Sequence, residues 1–344
     1  GMLLSSDSES ELAGVLSHEM SHVTQNHLTR FSEKTDKQQY LIAAGMLAAV
    51  LVDNSEASQA IATSTVAGTA PQSINFTREH EWEADRIGTN MLSKSGFAPQ
   101  GMAHFFKKLK DSSNAEEFLR SHTLSINRIS DSMQRSARAT GTYRQDSFEY
   151  LTIKARLYYH EHKRIKLESN KALNLYMQAY DAFENQDYQQ AKNNIDYLLT
   201  INHDDPAHIL AGRIYSKLAQ LDKAQAFFAK APDNESSAYY SAKAYLDNQK
   251  ASKGISVLRR YLKLHQGTYL SHKLLSSLYV DVERLDRAHV HNAEALILQG
   301  RLEKGITRYE RAKSVTHSQD LFDILTVKIE NLQQLIDLYK DLPD

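Results

Sequence analysis

An all-α fold follows from three features of the sequence. Glycine and proline are scarce, 13 and 5 in 344 residues. The long Ala/Leu/Lys/Gln-rich stretches carry apolar residues at helical spacing, and no alternating run of β-branched residues stands against them. The third feature is a degenerate repeat in the second half whose period is close to the 34 residues of a tetratricopeptide repeat (TPR), the unit of an α-solenoid. A chain of 39.0 kDa has room for two domains. The expected division is a first domain over 1–140, a connecting helix over 141–170, and a TPR-like repeat domain over 171–344.

Composition narrows the function classes. Lys+Arg 41 against Asp+Glu 42 gives a net charge of -1, and no long basic run is present. Neither a nucleic-acid partner nor an anionic membrane surface is therefore expected. The absence of cysteine excludes disulfides and leaves the redox compartment open. Gly1-Met2-Leu3-Leu4 runs straight into Ser and Asp, too short for a signal peptide, so the first domain is expected to be N-terminally truncated.

The first element opens at Ser8-Glu9-Ser10-Glu11, which reads as a capping box. Leu12, Val15, Leu16, Val23 and Leu28 follow at helical spacing, predicting one helix from about Ser8 to Phe31. Inside it lies His18-Glu19-Met20-Ser21-His22, an HExxH pattern. Histidines four apart leave the same helix face and can grip one Zn²⁺, with Glu19 beside them to take a proton from a water. The bland alternative is a surface helix that happens to carry two histidines.

Ser32 to Asp36 is a polar break, and Leu41 to Val52 is a 12-residue run without charge. A helix needs about 20 apolar residues to cross a bilayer, so no transmembrane span is expected here. The run reads as a buried or lid-forming helix, with peripheral membrane contact through 41–52 as the less favoured alternative. Asp53 to Ser73, rich in Ser, Thr, Ala and Gly, reads as a loop over a cleft.

A second helix opens near Thr77 with Arg78-Glu79-His80-Glu81-Trp82-Glu83-Ala84-Asp85-Arg86-Ile87-Gly88. A hydrolytic zinc site takes three protein ligands and keeps one position open, so a carboxylate is the expected third. Glu81 and Asp85 share one face a turn apart. Glu81 can then bind metal while Asp85 accepts the far N–H of a ligating imidazole. Glu79 and Glu83 compete for the first role, and an acidic first turn alone is commonly a helix N-terminus favouring negative charge. His27 and His80 lack ligand spacing and read as structural or supporting.

HEMSH together with Glu81-x-x-Ala84-Asp85-x-x-Gly88 resembles the zinc peptidases grouped with HtpX and the CAAX prenyl proteases. The wider chain, peptidase segment then helical repeats, resembles the BepA/YfgC-like periplasmic metallopeptidases of Gram-negative bacteria. The resemblance implies a helical zincin-type segment, with Glu81 as third zinc ligand. Such peptidases place a β-sheet ahead of the motif helix to hold extended substrate, and only 17 residues precede His18. The sheet is therefore expected to be missing from this polypeptide, leaving a metal site that it assembles without the strand that presents substrate.

Ser121-His122-Thr123-Leu124-Ser125-Ile126-Asn127-Arg128-Ile129 is similar to the S-H-P-x-x-x-x-R-I segment of the same group, with Thr123 where proline is usual. Two readings of His122 stay open, a fourth zinc ligand that holds the enzyme latent or a group that stabilises the oxyanion. Arg128 can serve the second role or pair with Glu81 or Asp85. For each residue, simple packing at a helix N-terminus remains the alternative.

From about Met102 to Lys171 the chain reads as connecting helices. The repeats then align on Ala191, Ala224, Gly254 and Ala288, spaced by 33, 30 and 34 residues. Ala179, Gly212, Ala242 and Ser276 are small at the first-helix crossing, and Ala182, Tyr215, Tyr245 and Tyr279 follow three residues on. Pro206 and Pro232 fall near repeat ends, and Gly305 comes only 17 residues after Ala288, so the helices from about Arg301 to Lys340 read as a cap. Such stacks form a surface for another protein.

The functional expectation is a zinc-dependent endopeptidase that cleaves misfolded or stalled clients, with the repeats binding protein. The resemblance implies a periplasmic place in outer-membrane protein quality control, with clients and the outer-membrane assembly machinery as partners. The alternative is a TPR scaffold or chaperone for that assembly, carrying a latent peptidase domain.

Overall fold

The computed structural model describes residues 2–26, 78–110, 126–139, 141–162, 170–231 and 233–340. The apolar run 41–52, the loop 53–73, His27 and His122 lie outside them. All regular structure among the described residues is helical. The chain groups into two compact units, Gly1–Arg164 and Ile165–Pro343.

Among the described residues six helices build the first unit: α1 Met2–Ser5, α2 Glu9–Thr24, α3 Arg78–Lys94, α4 Gln100–Lys110, α5 Ile126–Ala137 and α6 Phe148–His160. Helix α2 carries the HExxH pattern, with α3 and α4 packed on it and α5 packed on α3 and α4. Its N-cap is Ser8, whose hydroxyl accepts from the Glu11 N–H at 3.2 Å. The reciprocal half of the box is displaced, because the Glu11 carboxylate accepts from the Asp7 N–H at 2.6 Å instead of the Ser8 N–H.

The helix ends at Thr24, seven residues short of the expected Phe31. Gln25 caps it, its N–H bonding the Ser21 carbonyl, and Asn26 turns the chain with φ 51. Asparagine is among the few non-glycine residues that adopt this left-handed stop readily.

Three glycines let the helices of this unit approach backbone to backbone. A Cβ on Gly101 of α4 would sit 2.3 Å from the Ser10 carbonyl oxygen, and one on Gly14 of α2 would sit 2.7 Å from the Met102 backbone. A Cβ on Gly88 of α3 would sit 3.0 Å from His18 N and from Ser17 O. Ala84, one turn earlier on α3, is fully buried. The small residues of the second motif therefore set how closely α3 lies along α2. Val15, Leu92, Met102, Phe105, Phe106 and Ile129 fill the core between these helices.

The stretches expected to be connectors belong to this unit. Helices α4 and α5 supply its core, and α6 is tied to α2 by a reciprocal pair of bonds. Glu9 N–H donates to Asp146 Oδ1 at 2.7 Å, and Ser147 N–H donates to Glu9 Oε2 at 2.7 Å. The Tyr150 hydroxyl meets the Ser6 hydroxyl at 3.1 Å.

The second unit is a run of helical hairpins: α7 Lys171–Glu184, α8 Tyr188–Leu198, α9 Asp205–Lys217, α10 Leu221–Phe228, α11 Glu235–Asp247, α12 Ala251–Leu264, α13 Tyr269–Asp281 and α14 Leu285–Ile297. Helices α15 Leu302–Val315 and α16 Gln319–Lys340 complete it. The small residues that mark the repeat, Ala179, Ala191, Gly212, Ala224, Ala242, Gly254, Ser276 and Ala288, are all buried.

Each hairpin turns through one left-handed residue, Gln186, Ala219, Gln249 or Glu283, with φ between 56 and 64. The next N–H then reaches back five residues: Asp187 to the Ala182 carbonyl, Gln220 to Tyr215, Lys250 to Tyr245 and Arg284 to Tyr279, at 2.8–2.9 Å. This is a Schellman stop, which satisfies carbonyls left over at the helix end. Gly300, at φ 72, and the Arg301 N–H bond to Leu296 repeat the device between α14 and α15, half a repeat later.

Candidate metal centre

Positions 18 and 22 of α2 point at α3, and the close Gly88 crossing brings Glu81 up to them. His18 is fully buried, His22 is 5% exposed and Glu81 is 2% exposed. The two Nε2 atoms lie 3.2 Å apart, with Glu81 Oε2 3.7 Å from His18 Nε2 and Oε1 3.4 Å from His22 Nε2. All three donor atoms fall within 4.8 Å of one another. Two imidazoles and a carboxylate make a donor set of the kind zinc takes, and a carboxylate this deep needs a cation close by.

The far edge of the His18 ring is also held. Its Nδ1 lies 2.9 Å from Asp85 Oδ1, an acceptor that places the proton on Nδ1 and leaves Nε2 with its lone pair facing the cluster. Arg128 reaches in from α5. Its Nε and Nη2 donate to Asp85 Oδ2 and Oδ1, both at 2.8 Å, and its Nη1 lies 2.5 Å from Glu81 Oε2. One guanidinium thus bridges both carboxylates, which a lysine cannot do.

Burial alone would raise the Asp85 carboxyl, but the Arg128 guanidinium and His18 outweigh it and hold it below its ordinary value. For Arg128, burial would pull the guanidinium down, and Asp85 with Glu81 instead holds it above its usual value. Phe106 of α4 closes the floor. Its ring meets His18 edge-on at 5.4 Å, and the Arg128 guanidinium carbon lies 5.5 Å from its centroid.

The structure therefore brings together His18, His22, Glu81, Asp85 and Arg128, with Glu19 half-buried beside His18. Of the alternatives open for Arg128, it shows the ion pair, with both partners at once. Glu83, a rival for the third ligand, is not in the donor cluster. Phe106 and the α4 glycine crossing were not anticipated. The apolar spacing of Met102, Phe105 and Phe106 at i, i+3 and i+4 was the available signal.

Residues 1–135 match the sequence pattern of peptidase family M48. The Beta-barrel assembly-enhancing protease of Escherichia coli (strain K12) is 30% identical over 359 residues, covering 97% of this chain and 74% of that protein. The chain belongs to this family of M48 metallopeptidases. The Yersinia pestis protein of the same name is 30% identical over 327 residues, 87% of this chain and 67% of that one. The Vibrio cholerae putative relative is 36% identical over 163 residues, 46% of this chain and 34% of its own. A solved thermophilic TPR protein from Thermus thermophilus covers 47% of this chain and 99% of its own at 16% identity and TM-score 0.31. At that score the repeat assignment in this M48 member rests on its own hairpins.

Proposed function

We propose that this M48 member is a zinc-dependent endopeptidase whose repeat unit binds protein, acting on outer-membrane protein clients in the periplasm of a Gram-negative bacterium. One observation carries the catalytic part: His18, His22 and Glu81 converge, buried, within 4.8 Å. That donor set fits zinc. When bound, the ion supplies Lewis acidity, lowering the pKa of water and polarising a carbonyl. The names and organisms of the relatives support the cellular setting, and among the described residues no helix is long and apolar enough to cross a membrane.

Each residue has a distinct task. His18, His22 and Glu81 would hold the ion. Asp85 keeps His18 in the tautomer that presents Nε2. Arg128 offsets the charge of the two buried carboxylates, holding Asp85 below its ordinary value beside Glu81. Glu19 takes the proton of the attacking water and later delivers it to the leaving amine nitrogen. His122 belongs to the same proposal, as a latch on the site or a partner of the developing oxyanion.

Glu19→Gln is the test. The variant should keep its zinc and lose cleavage of an unfolded protein such as casein, and cleavage at the wild-type rate would remove Glu19 as the base. His122→Ala separates the two roles of that residue, with a rise in rate marking a latch and a fall marking oxyanion stabilisation. The second reading, a scaffold with a latent peptidase, is favoured by the extent of the repeat unit, Ile165–Pro343. It predicts that Glu19→Gln retains full assembly-assisting activity.

A further inference from the structure

The near-neutral charge of the whole chain hides a local asymmetry. Residues 251–313 contain 12 Lys and Arg against six Asp and Glu, while the chain as a whole stands at -1. The structure gathers part of that excess at one place. A cleft of about 370 Å³ lies between α12 and α14, over the last turn of α13, and Arg259, Lys263, Arg284 and Arg287 line it. Tyr279, Ile255 and Leu262 supply its apolar part.

Arg284 is already matched, its Nε and Nη2 each 3.1 Å from Asp286. Arg259, Lys263 and Arg287 make no ion pair within 4.0 Å among the described residues, although Asp286, already paired with Arg284, also feels the Arg287 charge. Arg259 and Lys263 sit one turn apart on α12, both exposed, and Arg287 faces them from the first turn of α14. Three cations without an ion pair around a concave, partly apolar surface repel one another and gain from an anion that enters between them.

We propose that this cleft docks an extended acidic peptide segment of a partner protein, with carboxylates on Arg259, Lys263 and Arg287 and an apolar side chain against Tyr279. Charge selects the occupant. Concavity and the apolar floor favour a peptide, whose side chains enter a cleft, over the flat anionic surface of a bilayer. The proposal rests on the repeat unit binding protein and adds which surface and what sequence chemistry it reads. Exposed charge pairs are individually weak, so the selectivity lies in engaging three cations at once.

The test is fluorescence anisotropy on the full chain with a short labelled peptide of Glu and Asp around a Leu, beside its Gln/Asn counterpart. The acidic peptide should bind and weaken as salt rises, and the amide peptide should not bind. Arg259→Gln with Arg287→Gln should weaken binding about tenfold, the scale of two lost charge pairs. Equal binding of both peptides, or an unchanged affinity in the double variant, overturns the cleft while leaving protein binding elsewhere on the repeats standing. Vesicles of phosphatidylglycerol form the second arm. Vesicle binding that the double variant abolishes, without peptide binding, would assign the cations to a membrane instead. Because the substituted residues are charged and lie at the rim of a cleft, an unchanged far-UV spectrum serves as the folding control.

Discussion

Replacing Arg128 with methionine isolates what holds the two buried carboxylates of the first unit. The substitution keeps the apolar stem over Phe106 and removes three charge-assisted contacts, at 2.8 Å and 2.8 Å to Asp85 and 2.5 Å to Glu81. Glu81 and Asp85, 2% and 3% exposed, are left without their cation. Asp85 retains His18 Nδ1 at 2.9 Å, and Glu81 retains the imidazole nitrogens of His22 and His18 at 3.4 and 3.7 Å. Breaking a buried pair of this kind costs about 3–5 kcal/mol, with protonation of the carboxylates setting the upper limit. The sequence has one tryptophan, Trp82, beside Glu81 on α3, so its fluorescence in urea follows the first unit alone. EDTA is included so that no metal takes over the charge of Glu81. Adding Asp85→Asn to Arg128→Met should recover about 0.5–3 kcal/mol relative to additivity, since one orphaned charge disappears. A single-variant loss under about 1 kcal/mol, the scale of a surface pair, or strict additivity would refute the reasoning.

Gly101→Ala should lower the same fluorescence transition by about 1–3 kcal/mol, because its Cβ would lie 2.3 Å from the Ser10 carbonyl and α4 must move off α2; an unchanged midpoint would mean the crossing is loose. Ala219→Gly, at φ 58, should instead stabilise the repeat unit by about 0.5–1 kcal/mol, read as a later far-UV transition. The third prediction concerns acid. Burial, then the neighbouring His272, pushes His291 down to about 3 from an ordinary value of 6.5. The unfolded chain therefore takes up a proton below pH 6.5 that the folded chain refuses until about 3. The His291 contribution to stability should be full above pH 6.5 and fall by up to about 1.4 kcal/mol per pH unit below it, with His208, His272 and His289, also held below their ordinary value by burial, acting in the same direction. Glu294, held low by Lys328 and Tyr309 against its burial, adds loss only at lower pH. His291→Phe should flatten the slope between pH 6.5 and 5, and parallel slopes for variant and wild type would count against His291 as its source.

What the sequence made legible was whatever repeats at short range. The i, i+4 spacing of His18 and His22, and of Glu81 and Asp85, dictates faces of two helices. The pairing of those helices came through the resemblance and not through spacing. Ala84 and Gly88 were legible as pattern letters, and their physical meaning emerged only with the close crossing of α3 on α2, where a Cβ on Gly88 would sit 3.0 Å from His18 N. For Arg128 the sequence leaves pairing with Glu81 or Asp85 as one alternative among others, because Asp85 is 43 residues away and only the packing of α5 on α3 brings the two together. The early stop of α2 turns on Asn26, a single residue that hydrophobic periodicity passes over.

In the repeats, Ala182, Tyr215, Tyr245 and Tyr279 were noticed as equivalent positions. The structure supplies the reason, since each gives the carbonyl that closes a Schellman turn. The basic cleft was missed because net charge averages over the whole chain. Arg259, Lys263 and Arg287 come from two helices that only the hairpin packing places side by side.

Whether His18, His22 and Glu81 form one metal site is tested most directly by elemental analysis of the full chain, loaded with zinc and dialysed. The expected result is one zinc per chain in the wild type and in Glu19→Gln, and none in His22→Ala or Glu81→Ala. A wild type that retains no zinc, or a Glu81→Ala variant that keeps its full equivalent, would contradict it.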